Sequence, residues 1–300
     1  MSVIRQFFSI ILMLTIIFYA NTSAFAASKQ NSSAIFNSAI NNLQQQNYQQ
    51  ALLELTQTIE TRPDLIAEAY SDRCLINIEL NNYSAAAKDC KLAIKYNPDN
   101  WESHLNLGLA YYYLTNYSRA IFQYKRVIAS NINDYRAYYN LGLVYAARAQ
   151  YNLAIDNYNQ ALATDNELDE TSKALIYNDL GAAQILLQDY SQAIANLDLA
   201  IKIQPNDYSA YFNRGCAHHR QGQYQAGIED FSQVIFLRPN YTEAYVSRSI
   251  LHHLLRHEQA AYRDIDIALG HYQTQGDHQS YQRVVSLKQS MIKSQIRQLA

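Results

Sequence analysis

Apolar and polar residues along this chain recur with a helical period and then repeat as whole blocks. The clearest block is Tyr138 to Tyr145, Tyr-Tyr-Asn-Leu-Gly-Leu-Val-Tyr. Tyr138, Gly142 and Tyr145 stand on one stripe of a helix, and Tyr139, Leu143 and Ala146 on the stripe beside it. Leu107, Gly108 and Tyr111 repeat the block upstream. Tyr177, Leu180 and Gly181 repeat it downstream, followed by Tyr211 and Gly215. Gly108 to Gly142 is 34 residues, Gly181 to Gly215 is again 34, and Gly142 to Gly181 is 39. A fixed period of this size marks a solenoid of stacked units.

With the block glycine set at position 8, the units run 32–65, 67–100, 101–134, 135–168, 174–207, 208–241 and 242–275. Two insertions break the phase, Ile66 and Asp169 to Lys173, the second in an acidic polar loop. Each unit predicts two helices. Tyr48, Tyr83, Tyr117, Tyr151, Tyr190 and Tyr224 share position 17, after a short polar turn. Position 20 is alanine in six units and Gly227 in the other. All four prolines, Pro63, Pro98, Pro205 and Pro239, fall at position 32, where a second helix must end. Small residues at 8 and 20 let the two helices approach closely.

The two ends differ from the array. Arg5 precedes an apolar run from Phe7 to Ala20, then a polar stretch and Ala24-Phe25-Ala26. That order predicts a secretory signal peptide over 1–26, cut after Ala26. An uncleaved anchor is the alternative, although the run is short of the ~20 residues that span a bilayer. Residues 27–31 form a linker. At the other end, Tyr281, Val284, Val285, Leu287, Met291, Ile292 and Ile296 predict one amphipathic helix over 278–298. It serves either as a cap on the last unit or as an oligomerisation helix.

Composition narrows the function. A net charge of −2 without a basic block gives no footprint for nucleic acid. Four prolines and eight glycines in 300 residues suit a chain that is almost wholly helical. No phosphate-binding glycine loop or hydrolase motif is present, so no catalytic residue and no cofactor is assigned. His218, His219, His252, His253 and His257 cluster late but match no common metal spacing, and no metal is assigned.

The leucine-glycine at 7–8, tyrosine at 11, alanine at 20, tyrosine at 24 and proline at 32 resemble the tetratricopeptide repeat, over 32 to 275. The resemblance implies an all-α, right-handed superhelical solenoid of about seven helix-turn-helix units with a C-terminal capping helix. It also implies a scaffold that holds a peptide or protein segment in a concave groove, outside the cytoplasm if the leader is used: in the periplasm, or in the thylakoid lumen of a photosynthetic source. A self-assembling structural protein, or a non-catalytic subunit of an enzyme complex, is the competing reading. The family's groove positions give Asn37, Asp72, Asn106, Asn140, Asp179 and Asn213 at position 6. They give Phe36, Tyr139 and Phe212 at 5, Leu143 at 9, and Tyr112 and His219 at 12. The basic set that clamps a terminal carboxylate in some relatives is absent; Arg136 is the one basic residue at position 2, 5 or 6.

Two further pairings come from the register. Arg73, Arg214 and Arg248 occupy position 7 in the same units that carry Asp89, Asp230 and Asp264 at position 23, which predicts an ion pair within each unit. The alternative is that these arginines read an acidic ligand. Cys74 and Cys90 stand at 8 and 24 of one unit, either as a disulfide or as two small core thiols.

Overall fold

The computed structural model describes residues 34–130, 133–164 and 168–299. The expected leader 1–26 and linker 27–31 lie outside the described residues. Among the described residues the regular structure is helical, with no strand. The helices are α1 (Ala34–Gln44), α2 (Tyr48–Thr61), α3 (Ile66–Glu79), α4 (Tyr83–Tyr96), α5 (Trp101–Tyr113), α6 (Tyr117–Ser130), α7 (Tyr135–Ala147) and α8 (Tyr151–Ala163). They continue with α9 (Glu170–Leu186), α10 (Tyr190–Ile203), α11 (Tyr208–Arg220), α12 (Tyr224–Leu237), α13 (Thr242–Leu254), α14 (Glu258–Gln275) and α15 (His278–Leu299). The described residues form two compact units, those within 1–149 and 163–166 and those within 150–162 and 167–300. In the first, α1·α2, α3·α4 and α5·α6 pack as helical hairpins; in the second, α9·α10, α11·α12 and α13·α14 do.

Within each hairpin the two helices meet at positions 8 and 24. A Cβ on Gly108 would stand 2.5 Å from the Tyr124 ring, and one on Gly181 would stand 2.6 Å from Leu197. Glycine therefore sets how near the helices come, and the position-24 side chain fills the gap. Elsewhere the same two places hold Ala39 with Leu55 and Ser249 with Ile265, all without exposed surface. In the second unit a disulfide joins Cys74 to Cys90, so a covalent bond replaces the glycine–aromatic contact.

The turns obey one rule. Position 15 takes positive φ in every unit: Gln46, Asn81, Thr115, Ala149, Gln188, Gly222 and Arg256. In six of them the residue after it donates its N–H back to the carbonyl of position 11, for example Asn116 to Tyr111 at 2.8 Å. Position 15 itself bonds position 12, as Thr115 does to Tyr112 at 2.9 Å. This left-handed cap satisfies the orphan carbonyls of the first helix and turns the chain into the second. Only one of the seven is glycine, so each of the others accepts local strain for the turn.

Arginine at position 7 links three helices. Arg73 places Nε and Nη2 on the two carboxylate oxygens of Asp89, at 2.9 and 2.8 Å, and donates Nη1 to Thr56 of the preceding unit at 3.0 Å. Arg214 does the same with Asp230 and reaches back to Asp198 at 2.6 Å. Arg248 binds Asp264 and reaches back to Ser232 at 2.9 Å. Position 11 adds to the carboxylate where it is polar: Asn77 donates to Asp89 at 3.1 Å, and the His218 Nε2 stands 3.7 Å from Asp230.

Two elements depart from the register. The expected acidic loop is partly helical, because Asp169 caps α9 by accepting from the Ser172 N–H and hydroxyl, which carries the helix back to Glu170. At the other insertion, Pro63–Leu65 form a 3-10 turn and Ile66 opens α3. The terminal helix runs His278–Leu299 and buries Val284 and Met291 against Tyr245, Ile265, Ala268 and Tyr272, which closes the last hairpin. Among the described residues no helix is long and apolar enough to cross a membrane.

The staple makes a testable claim. Asp89→Ala leaves the half-buried Arg73 without its carboxylate and is expected to cost about 2 kcal/mol, reduced from a fully buried pair by the exposure of the arginine. Arg73→Leu with Asp89→Gln, which copies the third unit's Leu107 and Gln123, is expected to recover most of that loss. Urea unfolding of the parent, the single and the double variant checks it. A double variant no more stable than the single would overturn it.

Candidate functional site

The position-6 side chains fall into different environments. Asn37 is exposed; Asp72, Asn140 and Asn213 are half-buried; Asn106 and Asp179 are enclosed, at 4% and 1% exposure. In the second compact unit Asn213 Nδ2 donates to Asn178 Oδ1 of the preceding repeat at 2.9 Å. Position 6 therefore reaches position 5 of its neighbour and lies along one side of the stack of first helices. Asn106 Oδ1 and Asn178 Nδ2 are buried and have no hydrogen-bond partner among the described residues. An amide left in that state keeps its capacity to bond a backbone, at a free-energy cost in the empty protein.

The apolar groove candidates behave differently from expectation. Tyr139, Leu143 and Phe212 are only 6, 3 and 6% exposed, so they pack within the chain and offer little surface to a partner. The Phe212 ring stands 5.4 Å from Phe231 and 5.3 Å from Tyr241. Position 5 points toward the seam between helices rather than away from it. Phe36 is half-buried, packed on the Ala39–Leu55 cluster. Tyr112 and His219 at position 12 remain half-buried, each beside an aromatic ring, Tyr117 at 6.0 Å and Tyr224 at 6.1 Å. Burial, with Arg220 nearby, holds the His219 imidazole below its ordinary value.

The first compact unit carries a feature that sequence reading missed. On α3, Asp72 and Glu79 stand seven residues apart and share one face of the helix. Both are half-buried. Burial, with the charge of Glu68 one turn away, pushes the Asp72 carboxyl up to about 7. Burial alone pushes Glu79 up to about 7. No cation pairs with either among the described residues. Beside Glu79, the Tyr83 and Tyr113 rings stack at 4.2 Å, nearly parallel. The signal was in the register, since Glu79 sits at position 13, but only folding shows that nothing neutralises it.

The remaining candidates sort cleanly. All three arginine–aspartate pairs form within their units. Hydrogen bonding and charge from Asp89 hold the Arg73 guanidinium above its ordinary value, against the effect of burial. Arg136, the basic residue at position 2, is engaged by Asp134 and Glu102 at 2.8 and 2.9 Å and lies over the Trp101 ring. Cys216 is half-buried, and burial pushes its thiol up to about 12, which makes it a poor nucleophile. Among the described residues no three His, Cys, Asp or Glu side chains converge as a metal site.

Comparison with known proteins agrees with this geometry. Tetratricopeptide repeat models match residues 77–121, 134–206 and 208–241. A curated relative, Protein SGT1 homolog of Homo sapiens, is 35% identical over 91 residues, 30% of this chain and 25% of its own length. The Bos taurus homolog is 37% identical over 81 residues, 27% of this chain and 24% of its own. The chain thus spans about a quarter of the curated relatives it matches. Among solved structures, PilW, described as a type IV pilus biogenesis factor, superposes with a TM-score of 0.66 at 16% identity, over 74% of this chain and 99% of that one. YrrB, described as having an unusual peptide-binding site, superposes at 0.54 with 21% identity, over 67% and 99%. At these identities the likeness is one of fold. With its turns, close helix contacts and three matched segments in one register, the chain belongs to the tetratricopeptide repeat family.

Proposed function

We propose that this protein–protein interaction scaffold holds a partner segment against the first-helix face, and that in the first compact unit the segment brings a basic residue. The observation that carries the reading is the pair of half-buried carboxyls, Asp72 and Glu79, on one face of α3 with no cation to neutralise them. A lysine or arginine lying there would remove the electrostatic cost, and the stacked Tyr83–Tyr113 pair offers a π face nearby. The position-6 amides would bond the backbone of the segment without reading its sequence. PilW, described as a type IV pilus biogenesis factor, lends the idea of an assembly role by fold alone. The absence of a catalytic motif and the family's general character favour a non-catalytic role, and nothing in the charge pattern favours nucleic acid.

Photo-crosslinking tests the surface. Benzoylphenylalanine at Asn140 or Asn213 is expected to trap a protein in the native compartment, while the same probe at the exposed second-helix positions Gln57 and Glu229 is not. Equal trapping from both faces would remove the groove reading. Asp72→Asn with Glu79→Gln is expected to weaken trapping at Asn140 several-fold; unchanged trapping would leave the groove and remove the basic residue.

We also propose export. The leader-like sequence and the Cys74–Cys90 bond both favour an oxidising compartment. N-terminal sequencing of the native protein is expected to begin at Ala27. A chain that keeps Arg5 would sink cleavage.

The carboxyls set a pH dependence. Their folded-state values, about 7, lie above the ~4 of an unfolded chain. The folded state therefore holds protons that the unfolded state releases, so their contribution to stability is full near pH 4 and is lost as pH rises through 7. Asp72→Asn, the residue most units use at position 6, is expected to raise stability at pH 8 by on the order of 2 kcal/mol and to flatten the slope between pH 5 and 8. Thermal melts across that range check it; an unchanged slope would refute the burial argument.

A further inference from the structure

The arginine staple bridges one unit to the next, and the third, fourth and fifth units lack it. Leu107 takes the place of the arginine, Gln123 that of the carboxylate, and Lys91 stands at position 25, where Thr56, Asp198 and Ser232 accept from an arginine elsewhere. A cleft of about 340 Å³ remains there, among α4, α5 and α6 of the first compact unit. Its floor is apolar, made by Ile94, Leu107 and the Tyr111 ring. One wall is formed by His104, whose Nδ1 stands 2.7 Å from Gln123 Oε1 and whose Nε2 stands 3.2 Å from the Pro98 carbonyl oxygen; the neutral ring donates to one of the two.

The rim is cationic and aromatic. Lys91 and Arg126 are exposed, and no carboxylate pairs with either among the described residues. The Lys91 ammonium rests over the Tyr111 ring, 5.5 Å from its centre, which draws it to the cleft mouth. Phe122 lines the opening with 60% of its surface exposed. In the stapled units an arginine and an aspartate neutralise each other in this crevice. Here Lys91 and Arg126 line an apolar floor, and among the described residues neither pairs with a carboxylate.

We propose that this cleft binds a small amphipathic organic anion, its acid group between Lys91 and Arg126 and its aromatic body against Leu107, Ile94 and Phe122. The volume lies in the range of small-molecule sites, and a few polar groups over an apolar floor is their usual composition. The site is lined from both helices of the repeat, and no position-6 residue is among its lining. It does not depend on the segment-binding reading above.

Titration of the full chain with 8-anilinonaphthalene-1-sulfonate, an aromatic anion of suitable size, tests it. Trp101 is the only tryptophan and lies on α5 three residues before His104, so energy transfer from it reports a probe bound here. One saturable site with transfer from Trp101 is expected. Lys91→Glu with Arg126→Glu, both at exposed positions, should weaken it at least tenfold with an unchanged circular dichroism spectrum. The uncharged N-phenyl-1-naphthylamine should not respond to that change. A second variant attacks the volume instead: Lys91→Ser, Leu107→Arg and Gln123→Asp rebuild the staple and should abolish binding. Sulfonate binding that survives both variants, or an absence of saturable binding, would overturn the proposal.

Discussion

The contact on which this structure depends is the close approach of two helices at positions 8 and 24. A side chain on the first helix there would collide with the second, as the Gly108–Tyr124 and Gly181–Leu197 distances show. Once the helices are that close, each hairpin has only a narrow apolar seam, and it buries the rest of its surface on the next hairpin. Stacking follows from that deficit. So does the need for α15, which covers the last seam with Val284 and Met291. The seam admits glycine with an aromatic or leucine, alanine with leucine, serine with isoleucine, or a disulfide.

The arginine staples show a second kind of interchange. Position 7 is apolar in the third to fifth units and arginine in the second, sixth and seventh, yet the fold continues through both. An ion pair that can be exchanged for leucine and an amide is not what drives folding, in line with the small net worth of desolvated pairs. Its distinguishing property is geometry. A guanidinium has enough donors to hold a carboxylate with one edge and a neighbouring unit with the other, so it fixes how successive repeats meet. Leucine cannot do this.

Much of the fold was legible because several residue types reported the same phase. Tyrosines at position 17 mark the first residue of α2, α4, α6, α8, α10 and α12, and prolines follow the ends of second helices. The turn conformation was not legible, because Thr115, Gln188 and Arg256 carry no sign of left-handed backbone; the Schellman bonds impose it. The start of α9 was misread because an acidic run looks like a loop until Asp169 is seen to cap it. At the candidate site the register placed the amides and the ion pairs, but not burial. Position 5 lies at the border of the packing stripe, and a few degrees of helix rotation decide whether Phe212 meets a partner or Tyr241. The third partner of each arginine could have been read from the acceptors at position 25, Thr56, Asp198 and Ser232.

The unsatisfied groups follow from the same constraint. A repeat of 34 residues leaves little freedom to recruit a distant counter-charge, because each unit touches chiefly its neighbours. Among the described residues Asp72 and Glu79 pair with no cation and Lys91 and Arg126 with no carboxylate, although the chain as a whole is almost neutral. In a globular domain, loops of varied length could bring such groups together. In a solenoid they stay where the register puts them, and the neutralising charge has to come from outside the chain.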